Sequence, residues 1–150
     1  MISEKVNEIL DFAIKNEEEA YQFYSDLAAK MDKKHMKTIF EDFAKEEHKH
    51  KMKLEGIKKG HEFKHTDKQI LDLKIGDYMV DVDVEGDLDY QQALTLAMQK
   101  EKSAFRLYTD MAEATTDENL KDVFKALAQE EAKHKLRFEI EYDDVFFQEN

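Results

Sequence analysis

The chain has 150 residues and a formal net charge of −12, and it contains neither cysteine nor proline. The lack of cysteine excludes disulfides, thiolate metal sites and thiol catalysis. The acidic balance argues against nucleic acid and anionic membrane surfaces as partners, because both are bound through clustered lysine and arginine. No stretch approaches the ~18 apolar residues of a transmembrane helix, and residues 1–11 lack the apolar run of a signal peptide, so we expect a cytoplasmic protein.

The first part of the chain predicts a helical hairpin over about residues 3–58. Ser3 can cap a helix that runs to about Lys30. A short polar break then precedes a second helix, from about His35 to Lys58. All four glycines of the chain lie between positions 56 and 86. Because glycine weakens helix interiors, we interpret about residues 59–88 as a long crossover.

The last part of the chain predicts a second hairpin, over about residues 89–143. Asp89, with Gln92 three residues later, resembles a capping box. The helix that begins there runs to about Ala114. Thr116 is predicted to cap the final helix.

The two hairpins are copies of one another. Residues 10–55, shifted by 84 positions, overlay residues 94–139 without a gap, and 16 of the 46 pairs are identical. Short connections make the helices of each hairpin antiparallel neighbours, and the crossover is long enough to span the bundle. The predicted fold is therefore an all-α, ferritin-like four-helix bundle that forms a single domain over residues 1–150. Two independent hairpins in an open array are the alternative, but each would expose an apolar face.

Each predicted helix carries a glutamate within its apolar stripe, where residues recur at spacings of three and four. Two of the helices add a histidine one turn later, which gives Glu-x-x-His twice. The six residues are Glu17, Glu47, His50, Glu101, Glu131 and His134. The glutamates next to the stripe, among them Glu18, Glu19, Glu46 and Glu130, are interpreted as solvated surface residues.

Four buried carboxylates need partners. An unpaired buried ion costs several kcal/mol, against a total stability of about 5–15 kcal/mol, and no lysine or arginine lies on the four stripes to neutralise them. Two divalent cations would balance the four charges, and carboxylate with imidazole suits iron or manganese. We therefore predict a two-metal site with iron as the metal and manganese or zinc as alternatives. A metal-free core of protonated carboxyls is the competing interpretation.

Two tyrosines lie two turns beyond the lone glutamates. Tyr24 and Tyr108 can be ordinary core residues with satisfied hydroxyls. The functional interpretation is a hydrogen bond from each hydroxyl to a ligand carboxylate, which would orient that ligand.

At these residues the sequence resembles the rubrerythrin-like branch of the ferritin-like superfamily. The resemblance covers both hairpins and is carried by residues 17–24, 44–50 and 128–134. It implies a non-haem diiron centre that reacts with hydrogen peroxide or dioxygen in the response to oxidative stress, and a homodimer. Rubrerythrins proper also carry a cysteine-ligated electron relay and an extra glutamate ligand, which is Ala104 here.

The predicted activity is that of a diiron oxidoreductase, either peroxidase-like or oxidase-like. Because the sequence has no cysteine, its electrons are expected from another, rubredoxin-like protein. An iron-binding protein without catalytic turnover is the alternative function. We predict no catalytic residues beyond the metal ligands.

Two motifs in the crossover match other site patterns. Residues 61–65 fit the H-E-x-x-H zinc-protease pattern, but no third ligand stands out. Residues 81–92 resemble a calcium loop, with Gln92 in place of the last glutamate. We interpret both motifs as solvated segments.

Overall fold

The computed structural model describes residues 4–60 and 89–146, which form four α-helices and, within those ranges, no strand. The helices are α1 (Glu4–Lys30), α2 (Lys34–Gly60), α3 (Tyr90–Ala114) and α4 (Glu118–Phe146). They confirm the predicted all-α class, and each is about 40 Å long at 1.5 Å per residue. The most extensive packing is within the two hairpins, α1 against α2 and α3 against α4.

The start of α3 is the predicted capping box. The Asp89 carboxylate accepts a hydrogen bond from the backbone N–H of Gln92 at 2.7 Å, and the backbone N–H of Asp89 donates to Gln92 Oε1 at 3.1 Å. Two backbone donors at the helix start are thereby satisfied, as this motif requires.

The start of α4 differs from the prediction, because its cap is Asp117 and not Thr116. Asp117 Oδ1 accepts hydrogen bonds from the backbone N–H groups of Asn119 at 2.9 Å and Leu120 at 3.1 Å. A carboxylate can serve both donors of the first turn, whereas the exposed Thr116 lies one residue too early. Thr115 closes the preceding helix, since its hydroxyl donates to the carbonyl of Met111 at 2.7 Å.

Two apolar clusters fill the bundle, and the stripe glutamates lie between them. One cluster contains Leu10, Leu54, Met111, Phe124 and Leu127, among others. The other contains Leu27, Phe40, Phe43, Leu94 and Phe138, among others. On every helix the stripe passes from one cluster to the other, and the glutamate occupies the position at which they meet. The sequence thus places all four carboxylates at one level of the core.

A buried carboxylate also ties one end of the bundle together. Glu141 is only 6% exposed, and its Oε1 accepts hydrogen bonds from the Tyr90 hydroxyl at 2.7 Å and from His35 Nε2 at 2.9 Å. These contacts join the starts of α2 and α3 to the end of α4. The His35 side chain is 65% exposed, yet it makes this contact with a buried carboxylate.

Residues 61–88 of the predicted crossover lie outside the described residues, and with them the zinc-protease match and residues 81–88 of the calcium-loop match. Residues 89–92 of that match form the capping box and first turn of α3. Among the helices of residues 4–60 and 89–146, none has a run of apolar residues that would suit it to crossing a lipid bilayer.

Candidate metal centre

The six predicted ligand residues meet in the middle of the bundle. All are buried, with exposures from 0% for Glu131 to 8% for His134. They form two groups whose potential ligand atoms lie within 4.8 Å of one another. Glu47 and Glu131 belong to both groups. Glu17 and His50 complete the first group, whereas Glu101 and His134 complete the second.

Both imidazoles present the same nitrogen to the carboxylates. His50 Nδ1 lies 2.7 Å from Glu131 Oε1 and 3.5 Å from Glu17 Oε2. His134 Nδ1 lies 3.0 Å from Glu47 Oε1 and 3.6 Å from Glu101 Oε2. Because a histidine and the glutamate one turn before it share a helix face, the Glu-x-x-His spacing delivers both groups to one place.

Several of these buried atoms have no hydrogen-bond partner within the described part of the chain. They are Glu17 Oε2, His50 Nδ1, Glu101 Oε2 and both carboxylate oxygens of Glu131. His50 Nδ1 and Glu131 Oε1 lie 2.7 Å apart but form no hydrogen bond with each other. Since buried polar groups are otherwise almost always hydrogen-bonded, this donor set fits cations held between the carboxylates.

The pKa values of the two shared glutamates, Glu47 and Glu131, are shifted in the opposite direction to that of Glu101. Burial raises the pKa of Glu47 well above its usual value, and the charges of Glu101 and Glu17 raise it further. Burial, followed by the charge of Glu101, likewise raises the pKa of Glu131. Burial also acts upward on the pKa of Glu101, but the neighbouring side chains of Glu131, His134 and Tyr24 outweigh it and leave that pKa lowered. In the metal-free protein, burial therefore favours the protonated form at the two shared carboxyls more than at Glu101.

Two tyrosines hold the outer carboxylates from the opposite hairpin. The Tyr24 hydroxyl on α1 donates to Glu101 Oε1 on α3 at 2.6 Å, and the Tyr108 hydroxyl on α3 donates to Glu17 Oε1 on α1 at 2.6 Å. In each glutamate one oxygen is thus occupied by a tyrosine, while Oε2 is left unpartnered. Burial raises the pKa of both tyrosines well above the usual value, so both remain hydrogen-bond donors.

Glu130 is the site residue that the sequence interpretation missed. It is half-exposed, but its Oε2 accepts a hydrogen bond from His50 Nε2, on the side of the imidazole that faces away from the cluster. Glu130 lies at the surface, as predicted, but it also contacts a buried histidine, which the prediction did not include. Carboxylates commonly hold the outer nitrogen of metal-binding histidines, and the identity of Glu46 and Glu130 in the repeat was the available signal.

Ala104 occupies the position at which rubrerythrins proper carry the extra glutamate ligand. Its side chain is partly buried and packs against the apolar cluster that contains Leu107 and Met111. In the described residues, each ligand group comprises only the four side chains given above.

Comparisons with known proteins identify the family and the fold of the chain. The sequence profile of the rubrerythrin family matches residues 8–142, whereas no curated protein sequence matches the chain. The fold is similar to the crystal structure of a protein from Thermotoga maritima described as a ferritin-like diiron-carboxylate protein. That match has a TM-score of 0.79 at 20% sequence identity and covers 97% of this chain and 99% of the other. The bundle is therefore ferritin-like, and the chain belongs to the rubrerythrin family.

Proposed function

We propose that this chain is a diiron carboxylate protein that reduces hydrogen peroxide or dioxygen with electrons supplied from outside the bundle. The observation that carries the proposal is the pair of four-residue ligand groups that share two carboxylates. Two adjacent metal ions need some ligands that reach both of them, and the two groups provide such ligands because they share two glutamates.

The ligand roles follow from group membership. Glu47 and Glu131 would be shared by the two ions, since both belong to both groups. Glu17 and His50 would complete the ligands of one ion, and Glu101 and His134 those of the other. The Tyr24 and Tyr108 hydrogen bonds fix one oxygen of each terminal carboxylate and leave the other oxygen for the metal.

Charge and donor chemistry support two divalent ions. Four carboxylates neutralise two +2 charges, and within residues 4–60 and 89–146 the ion pairs of these carboxylates are all with His50 and His134. A set of oxygen donors with one imidazole for each ion suits iron, and it also suits manganese or zinc. Iron is the choice that agrees with a redox role.

When bound, a ferrous pair supplies the two electrons that, with two protons, convert hydrogen peroxide into two water molecules. The side chains of this chain supply the geometry for that reaction. The apolar clusters on either side of the centre exclude bulk water, and the buried tyrosines stay protonated. Because the chain has no cysteine, a separate rubredoxin-like protein is the proposed source of the returning electrons.

Iron binding without turnover is the second candidate function, and Ala104 is the observation that favours it. The resemblance implies that rubrerythrins proper use a further glutamate at this position, which alanine cannot replace as a ligand. A protein of this second kind would bind two ions and release them without reducing peroxide at a useful rate.

Metal content and transient kinetics test the proposal. Mass spectrometry of protein purified without tags or chelators is expected to find about two iron atoms per chain, as the two ligand groups require. In stopped flow, the anaerobically reduced protein should oxidise with peroxide much faster than free ferrous iron does. Two ions without fast oxidation would favour the second candidate function. If the metal-free chain takes up no ferrous iron, the metal site itself is refuted.

A further inference from the structure

The inference concerns the hydrogen bond between Glu130 and His50, and it rests on the proposed metal site. The His50 side chain is 3% exposed, and its Nδ1 faces Glu131 and Glu17. Its Nε2 is held by Glu130, whose side chain is 44% exposed on α4. An ionised carboxylate on Nε2 keeps the proton there and leaves the Nδ1 lone pair directed towards the metal position.

The other hairpin contains the same residues but a different contact. The repeat equates Glu46 with Glu130 and His134 with His50. Glu46, however, pairs with Lys49 on its own helix, with Nζ and Oε1 3.5 Å apart. The His134 side chain is also more exposed than that of His50, at 11% against 3%. Within the described residues, no hydrogen bond between His134 and Glu46 corresponds to the one between His50 and Glu130.

A lysine adds a second difference between the halves. Lys100 immediately precedes Glu101, and its ammonium lies over the Phe23 ring, 5.2 Å from the centroid. The repeat places the neutral Asn16 at the equivalent position before Glu17. The charge of Glu101 acts on Lys100, and a positive charge at Lys100 disfavours a cation near that carboxylate, because like charges repel most strongly in a low-dielectric interior.

We propose that Glu130 is a positioning residue that makes the two metal positions unequal. The position of Glu17 and His50 binds the first divalent ion, and the position of Glu101 and His134 binds the second ion more weakly. The repeat supplies the same ligand residues to both positions, so the inequality comes from Glu130, assisted by Lys100.

The repeat offers a matched pair of variants for the test. Metal-free wild-type protein, Glu130→Ala and Glu46→Ala are titrated with Co²⁺ by calorimetry, and the visible absorption of the bound cobalt is recorded at each step. Each variant removes one half-exposed glutamate next to a bridging glutamate. Thermal unfolding of the metal-free variants shows whether either substitution changes the fold.

We expect the wild type to bind two Co²⁺ ions with distinct affinities. Glu130→Ala should weaken the tighter ion by about 10–100-fold and change the absorption of the first bound equivalent, whereas Glu46→Ala should change neither. Glu130→Gln, which keeps an acceptor oxygen for His50 Nε2, should restore part of the lost affinity. His134→Ala should retain the tighter ion and His50→Ala should lose it.

Other outcomes overturn the inference in distinguishable ways. If the wild type binds two ions and the two alanine variants behave alike, Glu130 has no special role although the metal site stands. Loss of the tighter ion in His134→Ala would reverse the assigned order. If the wild type binds no Co²⁺ at the cluster, the proposed function and this inference both fail.

Discussion

A single hydroxyl group distinguishes each tyrosine of the centre from phenylalanine, and its contribution can be measured. Tyr108→Phe keeps the buried ring but removes the hydrogen bond to Glu17. Because the acceptor is a carboxylate, we expect the metal-loaded protein to lose about 1.5–3 kcal/mol of unfolding free energy. Urea unfolding in the presence of metal measures this loss. Tyr21→Phe, whose ring lies beside His48, is the control and should change stability by less than about 0.5 kcal/mol.

Glu47 and Glu131 should make the stability of the metal-free protein fall with rising pH. Their pKa values in the folded state lie well above the usual 4.5, so between the unfolded and folded values the folded state binds more protons. Their contribution is present below pH 4.5 and is lost as pH rises through the folded pKa values. Urea unfolding from about pH 5 to pH 8 should show this decline. A Glu47→Gln/Glu131→Gln variant should flatten it, and a rise over the same range would contradict the argument.

At the level of single residues, the sequence predicted which side chains are buried or exposed better than it predicted which side chains contact each other. Helical spacing placed Glu17 and Glu101 on the core stripe, and both are buried. The same spacing put Glu130 at the surface, where it is half-exposed. The contact with His50 depends on how α4 packs against α2, and the spacing within one helix carries no information about that packing.

At the scale of helices, the corrected cap of α4 gives a direct test. Asp117→Ala removes the acceptor for two backbone N–H groups and should lower the unfolding free energy by about 1 kcal/mol. Thr116→Ala should have little effect, since Asp117 already occupies the cap position. Chemical denaturation of both variants distinguishes the two residues, and an equal loss in both would show that they share the cap.

The ends of the helices were less predictable than the helices themselves. The capping box of α3 is local and reciprocal, so Asp89 and Gln92 identified it from sequence. At the start of α4, Thr115, Thr116 and Asp117 are adjacent and each has a side chain able to cap, but only Thr116 was predicted. Thr115 is buried and its hydroxyl donates to Met111, and the hydrogen bonds of Asp117 identify it as the cap. These contacts are properties of the assembled fold.

At the scale of the whole molecule, the centre reduces the stability of the metal-free fold. Glu131 is fully buried, with both oxygens lacking a hydrogen-bond partner among the described residues. Glu131→Met replaces the carboxyl with a side chain of similar volume, so no unpartnered polar group is buried at this position. We expect it to stabilise the metal-free protein by about 1–4 kcal/mol, more at high pH than at low pH, while it abolishes stoichiometric metal uptake.

Thermal unfolding and metal titration of the same preparations test this prediction. Glu139→Met, at a partly exposed residue paired with Lys135, is the control and should change stability by about 0.5 kcal/mol or less. A large loss of stability in metal-free Glu131→Met would mean that this carboxyl is needed for folding and not only for binding metal.

The two shared carboxylates make each ligand group depend on both hairpins. Each ligand group takes three residues from one hairpin and a single bridging glutamate from the other, so neither hairpin contains a complete set of four. Two separate copies of one hairpin, associated about a twofold axis, would still assemble both sets. The bundle thus has the form of an ancestral dimer joined by duplication. Because the two halves belong to one chain, they can differ from each other, and the identical residues Glu46 and Glu130 do have different partners.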